Sequence, residues 1–144
     1  MELLAPAGDL EKLDVVYDYG ADAAYLGVGS FSLRRRAESA DFEDPALPDA
    51  LRRIKGNRKL YGALNRYFGQ EELEALEKSM EAIARLPLDA LIVSDLGVVP
   101  VVRRRLPGIA LHLSTQANCT NAGAAAVYRD LGFSRVIAAR ELSL

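Results

Sequence analysis

Two hydroxyls and two amides fall close together in Ser114-Thr115-Gln116-Ala117-Asn118, directly after the apolar Leu113. Such side chains offer paired donors and acceptors, which suits a planar ligand such as a nucleobase or a peptide group. The competing use is structural, with Asn118 or Thr120 capping the next helix and Gln116 tying down a loop. Arg140-Glu141 follows another apolar run and serves either to hold an anionic or amide ligand or to pair with neighbouring charges. Asp95, after Ser94, puts a carboxylate at a third run's end and is equally a good helix N-cap. Asn65 ends a fourth run, facing either a ligand or a turn. Two basic triplets complete the set. Arg34-Arg35-Arg36 suits phosphate, and Arg103-Arg104-Arg105 ends a helical stretch, where cations complement the dipole. The single histidine, His112, has no second histidine for a metal or a triad and reads as a satisfied buried side chain. Cys119 lies near a helix start, where a thiolate is favoured, but lacks a histidine at a nucleophile's spacing.

Positioning these groups requires strands, and six apolar runs qualify: residues 2–5, 23–27, 59–64, 90–94, 110–113 and 135–139. Leu91-Ile92-Val93 and Val136-Ile137-Ala138 are apolar without a polar face, as parallel strands covered on both sides require. Helical periodicity fills the gaps. Asp9 caps a helix to about Tyr19 that stops at Gly20, and further helices span residues 45–54, 70–85, 95–105 and 118–131. Strand alternating with helix makes the fold α/β, either a doubly wound open sheet or a (β/α) barrel. A doubly wound sheet concentrates its chemistry at one switch point, whereas a barrel carries it past the ends of several strands. Polar residues follow five of the six runs here, and the first exit, Ala5-Pro6-Ala7-Gly8, is no dinucleotide fingerprint. The expectation is a single domain: a TIM-like barrel, incomplete, with about six of the eight strands that close one.

Composition removes other classes. Of the 144 residues half are hydrophobic, and 18 basic against 20 acidic side chains leave a net charge of -2. Nucleic-acid binding through bulk charge is thereby disfavoured, leaving a local basic patch. One cysteine excludes an intramolecular disulfide framework and any four-cysteine metal or cluster site within this chain. No apolar run approaches a membrane span, and the acidic start, Met1-Glu2-Leu3-Leu4, is unlike a signal peptide. A cytoplasmic location is expected.

Several blocks carry a resemblance when taken together. They are Glu2-Leu3-Leu4-Ala5-Pro6-Ala7-Gly8, Tyr19-Gly20-Ala21-Asp22-Ala23-Ala24-Tyr25-Leu26-Gly27, Phe31-Ser32-Leu33-Arg34, Leu91-Ile92-Val93-Ser94-Asp95-Leu96-Gly97-Val98, His112-Leu113-Ser114-Thr115-Gln116-Ala117-Asn118 and Ala139-Arg140-Glu141-Leu142-Ser143. In this order they resemble the N-terminal part of the collagenase-like peptidase family U32, with Asp41-Phe42 where the family usually has Asn-Phe. The resemblance implies a (β/α)-barrel catalytic domain. Some members are linked to pyrimidine hydroxylation in tRNA or ribosomal RNA, others to ubiquinone hydroxylation with an iron–sulfur cluster. Members are usually more than twice this length, and their clustered cysteines lie beyond the matching part, so no cofactor is expected within this chain. The expected function is the front portion of an enzyme acting on RNA or, by the older label, on peptides, inactive at this length alone. Substrate-binding candidates are Arg34, Asn65, Asp95, Ser114, Gln116, Asn118, Arg140 and Glu141; the catalytic residues are not identified. Expected partners are an RNA substrate and the missing C-terminal half or a second chain, with no membrane, and with self-association through open barrel edges. The alternative is a non-catalytic module completed by another chain.

Overall fold

Runs that are apolar on successive residues need cover on both faces, and the computed structural model, which describes residues 1–33 and 44–143, supplies it. In chain order the elements are β1 (Leu4–Pro6), α1 (Leu10–Asp18), β2 (Ala23–Gly27), α2 (Leu47–Lys55), β3 (Lys59–Leu64), α3 (Gln70–Arg85), β4 (Ala90–Val93), α4 (Val98–Arg105), β5 (Ala110–Leu113), α5 (Ala122–Asp130) and β6 (Arg135–Val136). The strands are parallel and pair strictly in sequence order, β1-β2-β3-β4-β5-β6. A doubly wound sheet would reverse direction at a switch point, and this one never does. The fold is the expected α/β arc of a TIM-like barrel, with six strands among the described residues.

Alternation along β3 shows how the layers form. Leu60 and Leu64 belong to the outer clusters beneath the helices, with Leu13 and Leu51 on one side and Leu76, Met80 and Ile83 on the other. Tyr61 points the opposite way, joining Ala23, Ala90 and Ile92 on the inner face. Gly62 lies between Leu60 and Leu64, where a methyl group would stand 2.8 Å from Leu88 Cδ1 and 3.0 Å from both Leu91 Cδ2 and Val28 Cγ2. Gly62→Ala should therefore destabilise the chain by about 1–2 kcal/mol, because overpacking outweighs the gain in strand propensity. Urea denaturation measures this, and an unchanged or raised stability would mean that the neighbouring side chains yield freely.

Element boundaries differ from the sequence reading in instructive places. Asp9 caps α1 through Lys12 N at 2.8 Å, and Gly20 follows its end with φ 92°, as expected. The last run leaves the ladder after Val136: Ile137 N still donates to Leu113 O, but Ala139 N donates to Cys119 O in the loop beyond β5. α2 begins at Leu47 with Pro48 in its first turn, where no N–H is needed. α4 begins at Val98, since residues 95–97 form a turn around the Asp95 carboxylate. The cap of α5 is neither Asn118 nor Thr120. Asn118 has φ 54° and closes a short 3-10 turn, Thr115–Ala117, so the chain reaches Asn121 before it turns helical, and the Asn121 carboxamide accepts from Ala124 N at 2.9 Å. Of the second triplet, Arg103 donates to Gly132 O and Ile109 O, while Arg104 and Arg105 pair with Glu77 of α3. These arginines fasten α4 to its surroundings rather than simply capping it in solvent.

Candidate functional site at the strand ends

The inner face has two polar ends. At the N-terminal ends of the strands, the Glu2 carboxylate accepts from Arg135 Nη1 at 2.5 Å, Lys59 Nζ at 3.1 Å and Tyr61 Oη at 3.0 Å. Arg135 starts β6 while Glu2 precedes β1, so the ion pair joins the two edges of the arc across its inside. The Arg135 hydrogen bond, with help from Lys59 and Tyr61, outweighs desolvation and lowers the Glu2 pKa to about 2. The same partnership raises the pKa values of Arg135 and Lys59. His112 stands beside this network, its ring edge-on to Tyr61 with centroids 4.7 Å apart. It is buried, but its Nδ1 has no hydrogen-bond partner among the described residues, which corrects the expectation of a satisfied histidine. Burial, then the positive charge of Arg135, pushes its pKa down to about 4, so it is neutral at pH 7. Composition and spacing gave no sign of this network. The available signal was charge at the starts of β3 and β6 and just ahead of β1, on faces that are otherwise apolar.

At the C-terminal ends lies a cavity of about 550 Å³. Tyr25, Ala63, Ile92 and Ile137 form its apolar wall, and Asn65, Ser114, Thr115, Gln116 and Arg140 its polar rim. A neighbouring cavity of about 370 Å³ is lined by Thr115, Gln116, Asn118, Arg140 and Glu141. The structure thus brings together six of the eight sequence candidates. Asn65 uses its Oδ1 to accept from Ser32 Oγ and Leu33 N, both at 3.1 Å, holding the segment after β2 against the rim. Ser114 Oγ accepts from Gln116 N at 3.2 Å, and Tyr67 Oη donates to Gln116 O at 2.8 Å, so the Gln116 backbone is held from both sides. Among the described residues nothing bonds its side-chain carboxamide.

Asp95 is not brought in. Its two oxygens accept from Phe68 N and Gly97 N, each at 2.8 Å, and it lines neither cavity, so the carboxylate organises the entry to α4. Arg34, its neighbours Arg35 and Arg36, and Asp41-Phe42 lie outside the described residues. Cys119 is buried beside Asn121 O and lines neither cavity, which leaves no cysteine nucleophile at the rim among the described residues.

The model of peptidase family U32 matches residues 8–144. The chain belongs to that family. It is 42% identical over 145 residues to the tRNA hydroxylation protein P of Helicobacter pylori strain 26695, with 100% of this chain and 34% of the relative covered. It is 32% identical over 144 residues to the 23S rRNA 5-hydroxycytidine C2501 synthase of Escherichia coli K12, covering 100% and 21% respectively. Among solved structures, phosphoribosyl anthranilate isomerase from Thermotoga maritima superposes with a TM-score of 0.56 at 19% identity, over 99% of this chain and 64% of that one. That likeness concerns the barrel fold alone. The chain spans about a third of the length of the first curated relatives it matches, and it resembles the N-terminal portion of a family member. These similarities favour that reading over a non-catalytic module completed by a stranger. No helix among the described residues is long and apolar enough to cross a membrane.

Proposed function

We propose that this chain is the front barrel portion of a protein that hydroxylates a pyrimidine in RNA, and that the strand-end cavity receives the base. The observation carrying the reading is the convergence of Asn65, Ser114, Gln116 and Arg140, from the exits of β3, β5 and β6, around one cavity with an aromatic and aliphatic wall. A volume near 550 Å³ lies within the range of small-molecule sites and admits a nucleoside. Tyr25 gives the cavity wall an aromatic member, and the Gln116 carboxamide reads a pyrimidine edge that both donates and accepts. The relatives that act on tRNA and 23S rRNA supply the substrate class. The reading assigns the protein to the cytoplasm, where those RNAs are found.

Peptide hydrolysis finds less material here. His112 packs against Tyr61 and lines neither cavity, and Ser114 Oγ is engaged by Gln116 N. An iron–sulfur cluster, which the resemblance implies for some full-length members, takes about four thiolates. This chain has one cysteine, and it is buried, so its residues do not fit the cluster and none is assigned a role toward it.

Titrating the isotope-labelled chain with oligouridylate tests the base site through the side-chain amide resonances of Asn65 and Gln116. Both should shift saturably, oligoadenylate should shift them far less, and Gln116→Ala should weaken oligouridylate binding by about tenfold, some 1.4 kcal/mol. Equal responses to the two oligonucleotides, or shifts that avoid the rim, would sink the assignment.

A further inference from the structure

The two strand-end cavities are not separate sites, because Thr115, Gln116 and Arg140 line both. Across this shared wall the character changes abruptly. The larger cavity has Tyr25, Ile92 and Ile137 in its wall, whereas all five residues lining the smaller one are polar. A nucleotide changes character in the same direction, from a flat base to a hydroxylated sugar and a charged phosphate.

Arg140 is the only cation lining either cavity among the described residues. Most other described arginines are committed: Arg66, Arg104, Arg105 and Arg135 to carboxylates, Arg58 and Arg103 to backbone carbonyls. Arg140 is exposed and has no ion pair among the described residues, although Glu141 follows it directly. Glu141 faces the same small cavity. A carboxylate repels phosphate but accepts from a ribose hydroxyl, which divides the sugar and the phosphate between these two side chains.

Resting on the pyrimidine-site reading, we infer that the paired cavities hold one ribonucleotide unit. The base occupies the larger cavity, Arg140 binds the adjoining backbone phosphate, and Glu141 accepts from the 2′-hydroxyl. Arg140 thereby supplies affinity irrespective of sequence, while Glu141 separates RNA from DNA.

The test uses the 144-residue chain and fluorescein-labelled oligouridylate over a salt series, with deoxyoligouridylate as the sugar control. Arg140→Gln should weaken binding about tenfold at low salt and reduce the slope of log K against log salt by about 0.7, the single-strand value for one phosphate contact. Arg140→Lys should retain the slope. Glu141→Gln should reduce the preference for ribose over deoxyribose at least fivefold without changing the slope. An unchanged slope in Arg140→Gln, or an unchanged sugar preference in Glu141→Gln, overturns the inference. Failure of the base-site reading looks different: the parent chain would lose its distinction between oligouridylate and oligoadenylate, whatever the Arg140 slope. Both positions are exposed, and an unaltered melting temperature in each variant keeps folding out of the comparison.

Discussion

Replacing Glu2 with alanine is expected to cost the folded chain roughly 2–3 kcal/mol at pH 7. The carboxylate is 21% exposed, between the surface regime where ion pairs contribute little and the buried regime where losing one partner costs most. Removing it leaves Arg135 and Lys59 facing one another and the Tyr61 hydroxyl without its acceptor. The pH dependence gives the test its sign. The folded pKa of about 2 lies below the ordinary 4.5, so Glu2 stabilises the fold fully above the ordinary value and loses that contribution as pH falls through 2. The deficit of Glu2→Ala should therefore be large at pH 7 and nearly vanish near pH 2. Urea denaturation at both pH values measures it. A deficit below about 0.5 kcal/mol at pH 7 would reduce the pair to an ordinary surface contact.

The consequence reaches the candidate site. Among the described residues β1 and β6 are the edges of the arc, and Leu4 and Ile137 line the larger cavity from opposite edges. The Glu2–Arg135 pair fixes how far apart those edges stand at the N-terminal end, and the stiffness of a packed sheet carries that spacing to the mouth. Loosening the pair should widen the mouth and weaken oligouridylate binding along with stability.

How much of this was legible in the sequence depends on the range of the interaction. β2, β3 and β5 match their apolar runs because local composition, bounded by turn residues, decides them. α3 matches as well, its apolar spacing of three and four residues being unbroken. The rim was also legible, since a polar residue directly after an apolar strand sits at the strand end wherever the strand lies, even where, as with Ser114, it is buried. What local pattern cannot rank is equivalent chemistry. Asp95 and Gln116 both follow strands, and only the positions of Phe68 N and Gly97 N show that Asp95 is committed to the backbone. Asn118, Thr120 and Asn121 are all acceptable caps, and the left-handed turn at Asn118 decides for Asn121. The Glu2–Arg135 contact joins residues 133 apart in sequence. Nothing local to either residue announces the other.

His112 is the remaining group whose behaviour follows from long-range packing, and it should give the chain a second acid transition above that of Glu2. Its folded pKa of about 4 lies below the ordinary 6.5, chiefly through burial and then through Arg135, with Lys59 acting in the same direction and Glu2 opposing. Between pH 6.5 and 4 the unfolded chain binds a proton that the folded chain refuses, so stability rises with pH across this window. It is complete above 6.5 and lost progressively toward 4, by up to roughly 3 kcal/mol at about 1.4 kcal/mol per unit. His112→Phe keeps an aromatic edge against Tyr61 while removing both the titration and the unpartnered Nδ1. The variant should be as stable as the parent at pH 7, or more stable by about 1 kcal/mol, and should show no slope from pH 6.5 to 4.5. The Glu2 step below pH 4.5 should remain in it. Urea denaturation at half-unit pH intervals separates the two transitions. A parent curve that is flat from pH 7 to 5 would show that His112 reaches water or a hydrogen-bond donor in solution.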